Sequence, residues 1–150
     1  MTPTVSHSHS TGRIDFDDLM GERNYSGSRA YNQSKLANLM FTYELAKRLE
    51  GTGVTANALH PGFTNTGFSA EDPALGPLVR LLRPFMRSPA KGADTAVYLA
   101  SAPQVAGVTG RYFADRVAKK SSKASYDTAA TARLWQVSAD LVGIRVDSPG

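Results

Sequence analysis

Cysteine is missing from the 150-residue chain altogether, which excludes disulfides and thiolate metal sites and suits a reducing compartment. Long apolar runs are missing too: none approaches the ~18 residues needed to cross a bilayer. Met1 to Ser10 lacks both the basic region and the apolar core of a secretory leader, so the chain reads as cytoplasmic. Histidine is scarce, three in all, and His60 stands far from His7 and His9. No metal site is therefore expected, and the alternating Ser-His stretch reads as a solvated turn. No strong block of one charge sign exists. The net charge is +4 and the basic residues are dispersed, apart from Lys119, Lys120 and Lys123. Without an accompanying motif, that charge gives no reason to expect nucleic-acid binding.

What is present is an ordinary globular composition, 41% hydrophobic and 20% charged, sufficient for a single domain over residues 1–150. Thr4 and Val5 favour an extended segment over residues 1–6. Residues 13–28, with several glycines and polar residues, read as an irregular loop.

A helix is predicted over 28–49, free of Gly and Pro and rich in Ala, Leu, Lys and Glu. Leu36, Leu39, Met40 and Tyr43 form its apolar stripe. Gly51 and Gly53 close it, and Lys47 and Arg48 suit its negative end. A strand is expected over 54–59, stopped by Pro61-Gly62, then a loop-rich insertion over 63–88. An Ala-rich helix over 90–100, a strand over 108–113, a polar connector over 119–125 and an amphipathic helix over 127–142 complete the pattern. Trp135, in that last helix, is expected to serve the core rather than a site. The alternation is that of an α/β fold with about three strands and flanking helices.

Tyr31 and Lys35 lie four residues apart on the predicted helix and share a face. Two such residues are common on any amphipathic helix. Their chemical interest is specific, because a free tyrosine titrates near ~10 and serves poorly as an acid/base at neutral pH. A fixed ammonium beside a phenol favours the phenolate.

The surrounding stretch Ala30-Tyr31-Asn32-Gln33-Ser34-Lys35-Leu36-Ala37-Asn38 resembles the active-site helix of the short-chain dehydrogenase/reductase family. Val54 to Gly62 is similar to that family's next strand and its Pro-Gly turn. Arg13 to Leu19, Gly92 to Ala96 and Gly107 to Phe113 resemble the retinol-dehydrogenase-like and WW-domain-oxidoreductase-like branch. The resemblance is collinear over nearly the whole chain. It implies the carboxy-terminal half of a Rossmann-type doubly wound parallel sheet.

The same resemblance implies an NAD- or NADP-dependent oxidoreductase interconverting a small lipophilic alcohol and its carbonyl. Tyr31 would pass the proton, Lys35 would hold the nicotinamide ribose and lower the Tyr31 pKa, and Ser6 would orient the substrate oxygen. Ser8 and Ser10 are alternatives to Ser6. Pro61, Gly62 and Thr66 match the stretch that contacts the nicotinamide. The segment 63–88, apolar with three arginines near its end, reads either as a lid over the substrate or as plain packing, with membrane-surface contact a lesser option.

One departure matters. Gly51-Thr52-Gly53-Val54-Thr55-Ala56 fits the dinucleotide fingerprint formally, but it joins a helix to a strand, whereas the fingerprint needs a strand and then a helix. The pyrophosphate-binding half is thus expected to be absent. With it would go the neighbour of the first strand, leaving a marginal fold or a homodimer formed through exposed apolar faces. A non-catalytic remnant or interaction module is the competing expectation.

Overall fold

The computed structural model describes residues 7–61 and 89–144. The chain enters through a single 3₁₀ turn, His7–Ser10, and an irregular segment leads to α1, Gly27–Arg48. Strand β1, Ala58–His60, follows, then α2, Pro89–Ser101, and the hairpin strands β2, Tyr112–Ala114, and β3, Val117–Lys119. A short 3₁₀ turn, Pro103–Val105, follows α2, and another, Lys123–Tyr126, leads into α3, Thr128–Leu141.

Helix α1 has the bounds its composition demands, and its stripe is buried: Leu36, Leu39 and Met40 are at most 1% exposed. One side of that stripe packs on the sheet, where Leu39 meets Ala58 and Tyr112, with Tyr43 beside them. The other side receives α3 through Leu134, with Ile14, Phe16 and Ala130 packed around Leu36 and Met40. Gly51 and Gly53 both adopt positive φ after the helix, the left-handed conformation that glycine reaches without cost. Asp127 caps α3, its carboxylate accepting from the Ala130 N–H at 2.9 Å. Trp135 is half-buried at the seam, stacked 4.9 Å from Phe41 and beneath the Arg48 guanidinium.

The three strands form one mixed sheet in the order β1-β2-β3. Strands β1 and β2 are parallel, with Ala58 opposite Tyr112 and His60 opposite Ala114. Asn57 extends the pairing: its side chain donates to the Val108 carbonyl and accepts from the Arg111 N–H. An α/β arrangement with three strands and flanking helices is therefore present, but its strands differ from expectation. Val117 to Lys119, of which the sequence pattern assigned only Lys119, to the start of a polar connector, is an antiparallel third strand. It forms because Asp115 and Arg116 both take positive φ, giving the two-residue turn whose twist matches a hairpin. The expected strand at 1–6 and the segment 63–88 lie outside the described residues.

The Ser-His stretch also differs. His9 is 4% exposed rather than solvated, and its ring meets the Tyr112 ring edge-on at 5.1 Å. The alternating pattern concealed a histidine that shares the core with Tyr112. No group of three potential metal ligands occurs among the described residues.

Candidate active site

Tyr31 and Lys35 lie in the amino-terminal half of α1, turned away from the Leu36 and Met40 side that faces the core. Tyr31 is 39% exposed and Lys35 is half-buried. The Lys35 ammonium lies 5.1 Å from the centre of the Tyr31 ring, the one contact that draws the two together. No carboxylate pairs with Lys35 among the described residues. Its charge is therefore available to the phenol and to whatever occupies the space beside it.

The neighbouring residues of the motif perform a different task. Gln33 accepts from the Asp15 N–H at 2.9 Å through Oε1, and donates to the Leu19 carbonyl at 3.1 Å through Nε2. Asn32 donates to the Thr11 hydroxyl at 3.0 Å. Gly12 permits this docking, since a Cβ there would come within 2.6 Å of the Asn32 carbonyl oxygen. The segment preceding α1 is thus stitched to the first turns of the helix. Sequence reasoning missed Gln33 and Asn32 as positioning residues. Their only signal was their place inside the Tyr31–Lys35 stretch, on faces the pair does not use.

A groove of about 690 Å³ is lined by Arg13, Asp15, Asp18, Arg29, Asn32 and Gln33 among others, but not by Tyr31 or Lys35. It is an open polar trough between the loop and the helix, not an enclosed substrate site. Pro61 follows β1 at the carboxy-terminal end of the strand, half-buried. Ser6, Gly62 and Thr66 lie outside the described residues. The structure thus brings together Tyr31 and Lys35, and leaves the assembly of the remaining three undescribed.

Residues 14–74 match the family model of short chain dehydrogenases. The chain is 47% identical over 137 residues to retinol dehydrogenase 14 of Homo sapiens, an alignment that takes in 89% of this chain and 41% of that protein. It is 43% identical over 140 residues to retinol dehydrogenase 12 of Mus musculus, over 93% of this chain and 44% of the relative. With retinol dehydrogenase 13 of Homo sapiens the identity is 42% over 153 residues, over 95% and 45%. A crystal structure of an uncharacterized protein from Mycobacterium paratuberculosis superposes with a TM-score of 0.71 at 28% identity, covering 99% of this chain and 53% of that one.

With the Tyr31–Lys35 helix and the parallel β1–β2 pair, these matches make the chain a member of the short-chain dehydrogenase family. Within that family it falls in the retinol-dehydrogenase-like branch. The chain spans less than half the length of the relatives it matches, from 41% to 45%.

Proposed function

We propose that the chain carries the proton-transfer side of an oxidoreductase that interconverts a small lipophilic alcohol and its carbonyl compound. The observation that carries this reading is the Lys35 ammonium 5.1 Å from the Tyr31 ring, on a helix face turned away from the core, with no carboxylate paired to Lys35 among the described residues.

In the reducing direction Tyr31 gives the proton of its hydroxyl to the carbonyl oxygen; in the oxidising direction its oxygen takes the proton of the alcohol. Lys35 holds positive charge beside the phenol in both directions and donates hydrogen bonds to a ribose placed against the helix. Ser6 orients the substrate oxygen. By the family resemblance, Pro61, Gly62 and Thr66 would contact the nicotinamide of a bound cofactor. A nicotinamide cofactor, NAD or NADP, supplies the hydride chemistry when bound.

The described residues suit that cofactor at its ribose end, where Lys35 has spare donors. They offer no cradle for the pyrophosphate, because Gly51 and Gly53 sit in an exposed turn where an added Cβ would meet nothing within 4 Å. The 39% exposure of Tyr31 favours a second reading, an interaction module that keeps the helix without turning over. One experiment separates the two. NADP(H) and NAD(H) are titrated into the full chain while melting temperature and alcohol oxidation are followed. Stabilisation that rises with cofactor concentration, with turnover abolished in Tyr31→Phe, supports the enzyme. No shift at saturating cofactor leaves the module.

A further inference from the structure

The amino-terminal end of β2 holds a pocket that the proposed reaction does not use. It is about 190 Å³ in volume, and its walls are Tyr43, Tyr112 and Tyr126 with Arg111, Lys119 and Lys120. Tyr43 lies 12 residues beyond Tyr31 on α1, about 18 Å further along the helix axis. The pocket is thus well removed from the Tyr31 and Lys35 side chains.

Its charge is one-sided. No carboxylate lines it, and three cations converge on it from the residues flanking β2 and β3. Lys119 is partly offset by Asp115, at 3.9 Å. Arg111 and Lys120 have no ion-pair partner among the described residues. Water screens these exposed charges from one another, and an anion placed among them would be attracted by all three.

The phenols complete the recognition set. Burial pushes Tyr43 well up from the ordinary phenol range and moves Tyr112 in the same direction, so both stay neutral rather than competing as anions. The Tyr112 hydroxyl is buried with no hydrogen-bond partner. Tyr126 stacks on Tyr43 at 5.4 Å, and its oxygen accepts from the Ser121 N–H at 3.1 Å. Burial works against ionisation of Tyr126, but hydrogen bonds from Ser121 and the nearby Lys120 charge bring it down overall.

We propose that this pocket binds a phosphate group, as inorganic phosphate or as the head of a small phosphate monoester. Arg111 and Lys120 would supply the charge-assisted hydrogen bonds, and Tyr126 the polar wall. The stacked rings of Tyr43 and Tyr126 bound one side of the space, which is large enough for a phosphate. Occupancy would tie β3 and the turn after it to α1.

The test is a titration of the full chain with inorganic phosphate at constant ionic strength, followed by phosphorus NMR line width and by melting temperature. A saturable response is expected. Arg111→Ala together with Lys120→Ala should weaken it about tenfold or more, as loss of charged hydrogen bonds does. Both side chains are exposed, so the double variant keeps the fold. Lys120→Arg alone should retain binding. Glycerol phosphate binding as tightly as inorganic phosphate assigns the phosphate group alone, whereas tighter binding assigns the monoester. A non-saturating response that chloride reproduces, or unchanged affinity in the double variant, overturns the proposal.

Discussion

The Lys35 ammonium stands 5.1 Å from the centre of the Tyr31 ring, with both side chains on a face of α1 that the core does not use. If this contact serves proton transfer, the hydroxyl and the charge are separately required. Tyr31→Phe keeps the ring and removes the proton, and should lower kcat by about 10²–10⁴-fold. Lys35→Met keeps the stem and removes the charge, and should lower the rate while also weakening cofactor binding. Steady-state kinetics of the two variants check this, and unimpaired turnover in Tyr31→Phe would refute the proposed role.

Gln33 holds the entering loop by two hydrogen bonds, to the Asp15 N–H and the Leu19 carbonyl. Gln33→Ala should destabilise the chain by about 1–2 kcal/mol, since a typical bond contributes about 1 kcal/mol net. The Asp15 amide should lose hydrogen-exchange protection while amides in the middle of α1 keep theirs. A uniform loss across the chain would show that Gln33 supports the whole fold rather than the loop.

The Tyr43 hydroxyl bonds Ser121 at 2.7 Å and ties α1 to the turn before α3. The direction of this chain is forced. Ser125 spends its proton on the Ser122 carbonyl, so Ser121 must donate to Ser125 and Tyr43 must donate to Ser121. Burial raises the Tyr43 pKa well above the ordinary phenol value, so the fold prefers the neutral form. Its stabilising contribution is therefore full below the unfolded value near ~10 and is lost as pH rises from there toward the folded value. Tyr43→Phe should cost about 1 kcal/mol at neutral pH. It should also make stability fall less steeply above the unfolded phenol range, which denaturant melts across that pH span would reveal.

Arg116 holds φ at 60° in the hairpin turn and pairs with Asp94 on α2. Two effects can be separated by comparing variants. Arg116→Ala loses the ion pair and keeps the backbone strain; Arg116→Gly loses the ion pair and relieves the strain. The glycine variant should be more stable than the alanine variant by about 1 kcal/mol. Equal melting temperatures would show that the turn is not strained. The Asp94 carboxyl lies below its ordinary range because the Arg116 guanidinium hydrogen-bonds it. Its contribution is present above that range and lost as pH falls through the lowered value, and both variants should remove this acid dependence.

Legibility in the sequence followed the range of the interactions. Helix α1 was readable because its periodicity and its closing glycines are local, and the sharing of one face by Tyr31 and Lys35 follows from helix geometry alone. The β1–β2 pair was readable as two short apolar stretches, although the paired residues are fewer than the stretches suggest. Strand β3 was not readable. Asp115-Arg116 lacks the Asn-Gly signature of such a turn, and the Asp94 that pairs with Arg116 comes from α2. His9 looked solvated because its neighbours in sequence are serines, whereas its burial depends on Tyr112, far along the chain.

The sequence by itself therefore determined the family, through a resemblance that runs along nearly the whole chain, and also the helix and its pairing of a phenol with an ammonium, which rest on residues within a few turns of one another. Tertiary structure decided that the pair faces away from the core, with no carboxylate paired to Lys35 among the described residues. It also decided that Gln33 and Asn32 anchor the loop before the helix, and that three tyrosines meet three cations at the other end of β2. Those arrangements join residues from separate elements, and only packing brings such residues within reach of one another.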